Sequence, residues 1–313
     1  MMTAAVPAAW RPAISRADGR QAVRFRGRSL SSVTGEFTDI DVMLGQAAVA
    51  GVDHLLLSPW IMLVPVDAEL PEALGVCRVQ NEALSRAALR GQVSALGAVP
   101  LQHPAAAAAE LAELMRLPGM RGVEIPASIQ GACLGDDRFM PFWEVAEATG
   151  ALVFIHPTTR GLAFPGLDDY YLWNSVGNPL ETAVTAAHLA AAGVIERYPG
   201  LRILLAHGGG ALLAVRGRLR RAHAVRGEAR TRSSAGPDSS LRHFYFDSLT
   251  HDQAMLADLV GYAGADHVLL GSDRPFDMGA DDPVGQVRAL RLGAGEQLIL
   301  GGNASRLLQI AAA

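Results

Sequence analysis

Seven short apolar segments, each followed by a stretch rich in Ala and Leu, limit what this 313-residue chain can become. They are residues 54–58 (HLLLS), 94–101 (SALGAVPL), 122–126 (GVEIP), 151–156 (ALVFIH), 202–207 (RILLAH), 244–249 (FYFDSL) and 267–273 (HVLLGSD). A strand with one wet face alternates apolar and polar residues. Runs without that alternation belong to parallel strands covered by helices on both faces. The stretches 73–90, 105–115, 141–149, 179–198 and 251–263 supply such helices, and Asn303 stands where an N-cap would open a last one over 304–312.

Two architectures use this pattern, an open doubly wound sheet and a TIM-like (β/α)8 barrel. The barrel is expected, because four of the segments carry polar groups at their ends. An eighth strand has only residues 3–6 to draw on before Pro7 interrupts, so the first strand is expected to be short or degenerate. The length suits a single barrel domain over 1–313, and the polar, aperiodic stretch 227–240 (GEARTRSSAGPDSS) reads as a surface loop within it. Half of the residues are hydrophobic and 19% are charged, enough apolar material for a large core.

With 27 basic and 31 acidic side chains, the net charge of −4 gives no field to recruit nucleic acid or an anionic membrane. The expected partner is a small molecule. Cys77 and Cys133 are not in a C-x-x-C, and neither a secretory signal nor an apolar run of roughly 18 residues is present. A cytoplasmic protein is expected.

The polar groups at the strand ends are His156, His207, Asp247 and Asp273. In a parallel barrel all carboxyl ends open on one face, so groups far apart in sequence meet there. Any one such histidine could equally be a buried imidazole satisfied by a carbonyl; three groups together point to a reaction centre. Gly208, Gly209 and Gly210 either let a ligand approach the backbone or allow a tight turn. No G-K-[ST] follows them, which excludes a phosphate loop. There is no G-x-S-x-G elbow for a serine nucleophile.

VFIHPTT around His156, RYPGLRILLAHGGG around His207, FYFDSLTHD around Asp247, HVLLGSDRPF around Asp273 and the closing GGNASRLL occur in an order that resembles one family. Over roughly residues 41–310 the chain is similar to the amidohydrolase-related family (amidohydrolase 2), in the branch typified by aminocarboxymuconate semialdehyde decarboxylase. The resemblance implies a barrel enzyme that decarboxylates or hydrolyses a small carboxylated aromatic or ring-opened substrate. It makes His156 and Asp273 ligands of a divalent metal, zinc foremost, and His207 the acid/base, a task suited to an imidazole. Asp273 would also orient water. Arg218 falls where the family grips a substrate carboxylate, often across the interface of a homodimer. The alternative is a solvated helix face beside Arg216, Arg220 and Arg221. Arg26, in VRFRGR, resembles a second carboxylate-binding arginine. Trp173 either lines the pocket or packs in the core.

The pattern breaks at the start. The family opens with H-x-H on its first strand, where a period of two aims both imidazoles at one metal. No H-x-H occurs in this chain, and alignment on Pro7 and Trp10 puts Met2 and Ala4 at those positions. Three explanations follow: a start placed too far downstream, catalysis without tight metal binding, or a metal-free binding or partner subunit built on the same barrel.

Overall fold

The fold was analysed in a computed structural model that describes residues 6–158 and 161–310. A three-stranded antiparallel meander comes first: β1 (Ala13–Ala17), β2 (Arg20–Phe25) and β3 (Arg28–Val33). Its turns, Asp18-Gly19 and Arg26-Gly27, each have both residues at positive φ, the conformation that matches the twist of paired strands. The sequence reading did not anticipate the meander. Its alternation is confined to β2, where Gln21, Val23 and Phe25 are buried.

The main sheet contains β4 (Leu55–Leu57), β5 (Val93–Gly97), β6 (Met120–Pro126), β9 (Leu152–His156), β10 (Arg202–Leu205), β11 (Tyr245–Asp247) and β12 (Val268–Leu269). The pair β7 (Ser128–Ile129) and β8 (Ala132–Cys133) forms a small hairpin above β6. The seven strands are parallel, in the order β12-β11-β10-β9-β6-β5-β4, and helices connect them. All seven expected strands are present, in a curled sheet of the TIM-barrel class. Of the fragment expected to form the first strand, residues 3–5 lie outside the described residues.

Alternation along each strand sorts the side chains. Val123, Ile125, Val153, Ile155, Ile203, Leu205, Phe246 and Val268 pack outward against the helices. Leu96, Leu152, Leu204 and Leu269 pack inward, with Leu56, Phe154 and Tyr245, against Leu307 and Leu308 of the last helix. That helix plugs the floor of the sheet: the Arg202 guanidinium, at the start of β10, donates to the carbonyls of Leu307 (3.2 Å) and Gly150 (3.3 Å). The same phase carries Glu124, His156 and Asp247 inward, nearer the carboxyl end.

Several boundaries differ from the sequence reading. β5 stops at Gly97 because the Asn81 side chain takes over the backbone groups of Ala98, accepting its N–H at 2.8 Å and donating to its carbonyl at 3.0 Å. The helix expected over 179–198 breaks into Asn178–Ala191 and Val194–Arg197 around Gly193, at φ +72°. A side chain there would meet the Arg232 carbonyl at 2.6 Å. Asn303 is not an N-cap. A wide turn, Leu298–Gly302, runs straight into the last helix, and Asn303 is buried, donating to the carbonyls of Ala265 and Val268.

Candidate active site

His156 is the last residue of β9, turned inward four residues after Leu152. Its Nδ1 lies 2.8 Å from the Pro157 carbonyl. A carbonyl oxygen can only accept, so Nδ1 carries the proton and Nε2 keeps its lone pair for a ligand. Burial, and then the neighbouring His207 imidazole, lower the His156 pKa to about 3 against the opposing pull of Pro157. This ring is neutral at physiological pH.

His207 follows β10 in a left-handed conformation, φ +57°, and Gly208, Gly209 and Gly210 continue it at +60°, +78° and +59°. Asp247, at the end of β11, holds this turn: its carboxylate accepts the backbone N–H groups of His207 (2.8 Å), Gly208 (2.8 Å) and Leu249 (3.0 Å). The glycines are required by the protein's own packing. A Cβ on Gly210 would stand 2.3 Å from the Pro179 carbonyl oxygen, and one on Gly209 would stand 2.8 Å from the Phe246 ring. Burial, and then His251, lower His207 to about 4, so this imidazole also rests neutral.

Asp273 lies beyond β12 with φ +51°, on a loop held by the Ala280 N–H donating to the Ser272 carbonyl at 2.8 Å. Burial, and then Asp247 and Asp277, raise it to about 7. Inside β6, Glu124 is 2% exposed, and burial raises it to about 8 against a hydrogen bond from Ser58, with Asp273 adding repulsion. Burial, opposed by the three N–H donors, raises Asp247 to about 6.

Three of these residues meet. Ligand-capable atoms of His156, His207 and Asp273 all lie within 4.8 Å of one another, and the two imidazole rings are 5.1 Å apart at 72°. Neutral imidazoles with free lone pairs beside a carboxylate are the donor set of a borderline divalent cation. Acids raised by burial and mutual repulsion are what a cation would bring back down. The residues present therefore fit a metal ion. The positions aligned with H-x-H, Met2 and Ala4, lie outside the described residues.

A family profile described as amidohydrolase matches residues 63–310. The chain belongs to the amidohydrolase family. It is 28% identical, over 90% of its length and 80% of the relative's, to 2-amino-3-carboxymuconate-6-semialdehyde decarboxylase of Dictyostelium discoideum. It is 26% identical to gamma-resorcylate decarboxylase of Rhodococcus jostii, covering 76% of this chain and 77% of that one. A crystal structure of a dihydroxybenzoic acid decarboxylase from a Polaromonas species, with bound manganese and the inhibitor 2-nitroresorcinol, superposes with a TM-score of 0.75 at 23% identity. That match covers 88% of this chain and 87% of the other. The resemblance read from the motifs is borne out, in the family and in the decarboxylases to which the chain is similar.

The remaining residues that the amidohydrolase resemblance singled out are spread around the fold. Arg26 is engaged elsewhere, its Nη1 on both carboxylate oxygens of Asp67 (2.8 and 2.9 Å) and its guanidinium 3.8 Å from the centre of the Trp10 ring. Trp173 opens a wide helical turn, half-buried, edge-on to Tyr171 at 4.8 Å with the Arg28 guanidinium 5.4 Å above it. Arg218 lies on the helix Leu212–Val225, exposed, with no hydrogen bond or ion pair among the described residues. Its neighbours differ, Arg216 lying over Tyr262 and Arg220 pairing with Asp238.

Sequence reasoning passed over three residues. Glu124 was legible as the one charged residue in GVEIP. His251, at φ +55° beside His207 and Asp247, stands in a quoted motif but had no strand-end signal. Glu181 carried no local signal, since it joins segments distant in sequence: it accepts from the hydroxyls of Ser128 and Thr158 and from the Thr158 N–H.

Proposed function

We propose that this chain is a decarboxylase of a small carboxylated aromatic or ring-opened substrate. In this reading His156 and Asp273 hold a divalent cation and His207 is the acid/base. The convergence of His156, His207 and Asp273 within 4.8 Å carries the proposal. The named activities of the relatives set the substrate class. An imidazole and a carboxylate suit zinc first, with manganese the alternative that the Polaromonas neighbour suggests. A bound cation supplies Lewis-acid polarisation of the substrate's carboxylate or neighbouring oxygen.

The carbon that loses CO2 must gain a proton. His207 rests neutral, so it first takes a proton from the substrate's own hydroxyl or from solvent at the open mouth. It then delivers that proton to carbon as the C–C bond breaks. His156, its Nδ1–H committed to Pro157, would not share this role because its Nε2 lone pair would be given to the cation. Asp273 orients the ion or a water beside the departing carboxylate.

A homodimer with Arg218 gripping the substrate carboxylate in the neighbouring site completes the reading. Arg218 is exposed with no hydrogen bond or ion pair among the described residues, and the adjacent helix with the turn before it presents Val176, Leu180 and Val184, 39–48% exposed, at intervals of four residues. Arg26, bound to Asp67, would have to exchange that partner to serve as a second grip, and Trp173 would wall the pocket. Residues 1–313 then form one barrel domain, with 227–240 on its surface. Among the described residues no helix is long and apolar enough to cross a membrane. The free thiols Cys77 and Cys133 support a cytoplasmic location.

The test is CO2 release from hydroxylated benzoates and from a carboxylated muconate semialdehyde, together with metal analysis of the purified protein. About one divalent ion per chain and turnover with one of these classes are expected. A metal-free protein inactive on every class would sink the proposal and favour a partner subunit, a reading to which the half-exposed edge strand β4 lends itself.

A further inference from the structure

His156 and Glu181 stand on opposite sides of a single peptide group. The carbonyl of the Pro157–Thr158 peptide accepts the His156 Nδ1–H at 2.8 Å. The N–H of the same peptide donates to Glu181 Oε2 at 2.9 Å. Glu181 is only 2% exposed, in the first turn of the helix Asn178–Ala191. Its other oxygen accepts the hydroxyls of Thr158 (2.6 Å) and Ser128 (2.8 Å), so the carboxylate cannot swing away. Thr185, one helical turn on, donates to the Ala127 carbonyl at 2.7 Å, and the Ala127 N–H donates to the carbonyl of His156 at 2.8 Å. The helix thus fixes both the peptide and the strand end that carries the imidazole.

We infer that Glu181 is a positioning residue that acts on His156 through the Pro157–Thr158 peptide, as a carboxylate–peptide–imidazole relay. A negative charge accepting a peptide N–H polarises that peptide and makes its carbonyl a stronger acceptor. The stronger acceptor holds the His156 proton on Nδ1 and makes Nε2 a better electron-pair donor. Outer partners of this kind ordinarily act on a ligating histidine directly, through a carboxylate or a carbonyl. Here the two are placed in series. Gly161 closes over the same carboxylate, since a Cβ there would stand 2.0 Å from Glu181 Oε1.

The relay rests on His156 being the ligand proposed above, and its first test is independent of metal. In metal-free protein labelled with 15N-histidine, His156 should be the Nδ1–H tautomer, its ring proton shifted downfield and slow to exchange. The Nε2–H tautomer in the wild type overturns the inference whether or not any variant folds. In Glu181→Gln, which keeps the shape and loses the charge, that proton should move upfield, and affinity for added Mn2+ or Zn2+ should fall about 10–100-fold. Ser128→Ala, which removes one hydroxyl from the same carboxylate, should give a smaller change in both readouts. A Glu181→Gln spectrum identical to wild type, or equal effects from the two variants, would reduce Glu181 to a scaffold. Failure of the wild type to bind either ion would count against the metal site, while the ring-proton signal would still judge the relay.

Discussion

The two ends of the sheet are built from the same strands on opposite terms. On β9, Leu152 and His156 point the same way, four residues or roughly 13 Å apart. At the floor, Leu152 joins Leu96, Leu204 and Leu269 under the plug of Leu307 and Leu308, and none of these residues has a strained backbone. At the mouth, His207, His251 and Asp273 all sit at positive φ, each a strain of order 1–3 kcal/mol. Glu124, Asp247 and Asp273 are acids shifted upward, first of all by burial. The floor contributes stability and the mouth consumes it, which is the division expected where chemistry is confined to one end of a barrel. Substitutions at the two ends should therefore have opposite signatures.

The largest effect is expected at the mouth. His207→Ala should lower kcat by about 10²–10⁴-fold, the usual share of a positioned acid/base, and leave the thermal midpoint little changed, since the main-chain bonds to Asp247 that hold the turn survive and only a buried imidazole is removed. Retained turnover, measured as CO2 release, would break the assignment of chemistry to this end. Next comes the floor. Leu96 is 1% exposed, and Leu96→Ala should cost about 2–5 kcal/mol in urea unfolding while kcat per folded molecule stays at the wild-type value. A comparable loss of kcat would show that the floor and the mouth are not separable.

The floor was the more legible end. Leu96, Leu152 and Leu204 lie in runs without polar interruption, and such runs specify buried parallel strands whatever their partners are. The ends of elements were less legible because side chains decide them. Asn81 ends β5 from another helix, and the Ala265 and Val268 carbonyls capture Asn303. The meander escaped notice although Asp18-Gly19 is a strong two-residue turn signal. At the mouth, His156, His207 and Asp273 could be read because strand polarity alone brings them to one face. Glu181 could not, because its partners Thr158 and Ser128 are 23 and 53 residues away and no periodicity links them.

Asp247 sharpens the comparison because it is at the mouth and yet serves the backbone. Asp247→Ala strips the acceptor from three N–H groups, each costly to leave buried and unpaired, so stability should fall by about 1–3 kcal/mol or more. Because the same bonds hold the His207 turn, kcat should fall as well. Urea unfolding and CO2 release on one preparation check both. A loss in only one of them would place Asp247 wholly with the chemistry or wholly with the fold.

A further effect, at Glu124, appears as a dependence on pH. Its folded-state pKa, about 8, lies above the ordinary 4.5, so between these values the folded protein holds a proton that the unfolded chain has released. Stability from this group is present below about pH 4.5 and declines as pH rises toward 8, by at most about 1.4 kcal/mol per pH unit for one proton. Glu124→Gln, which mimics the protonated form, should remove that decline: in metal-free protein the variant should gain on wild type steadily between pH 5 and pH 8. Added Zn2+ or Mn2+ should shrink the difference, because a cation beside Asp273 relieves the repulsion that Asp273 adds to burial at Glu124. If urea unfolding gives parallel pH profiles for the two proteins, Glu124 is ionised in the fold, and burial of an acid at the mouth does not consume stability as the contrast with the floor requires.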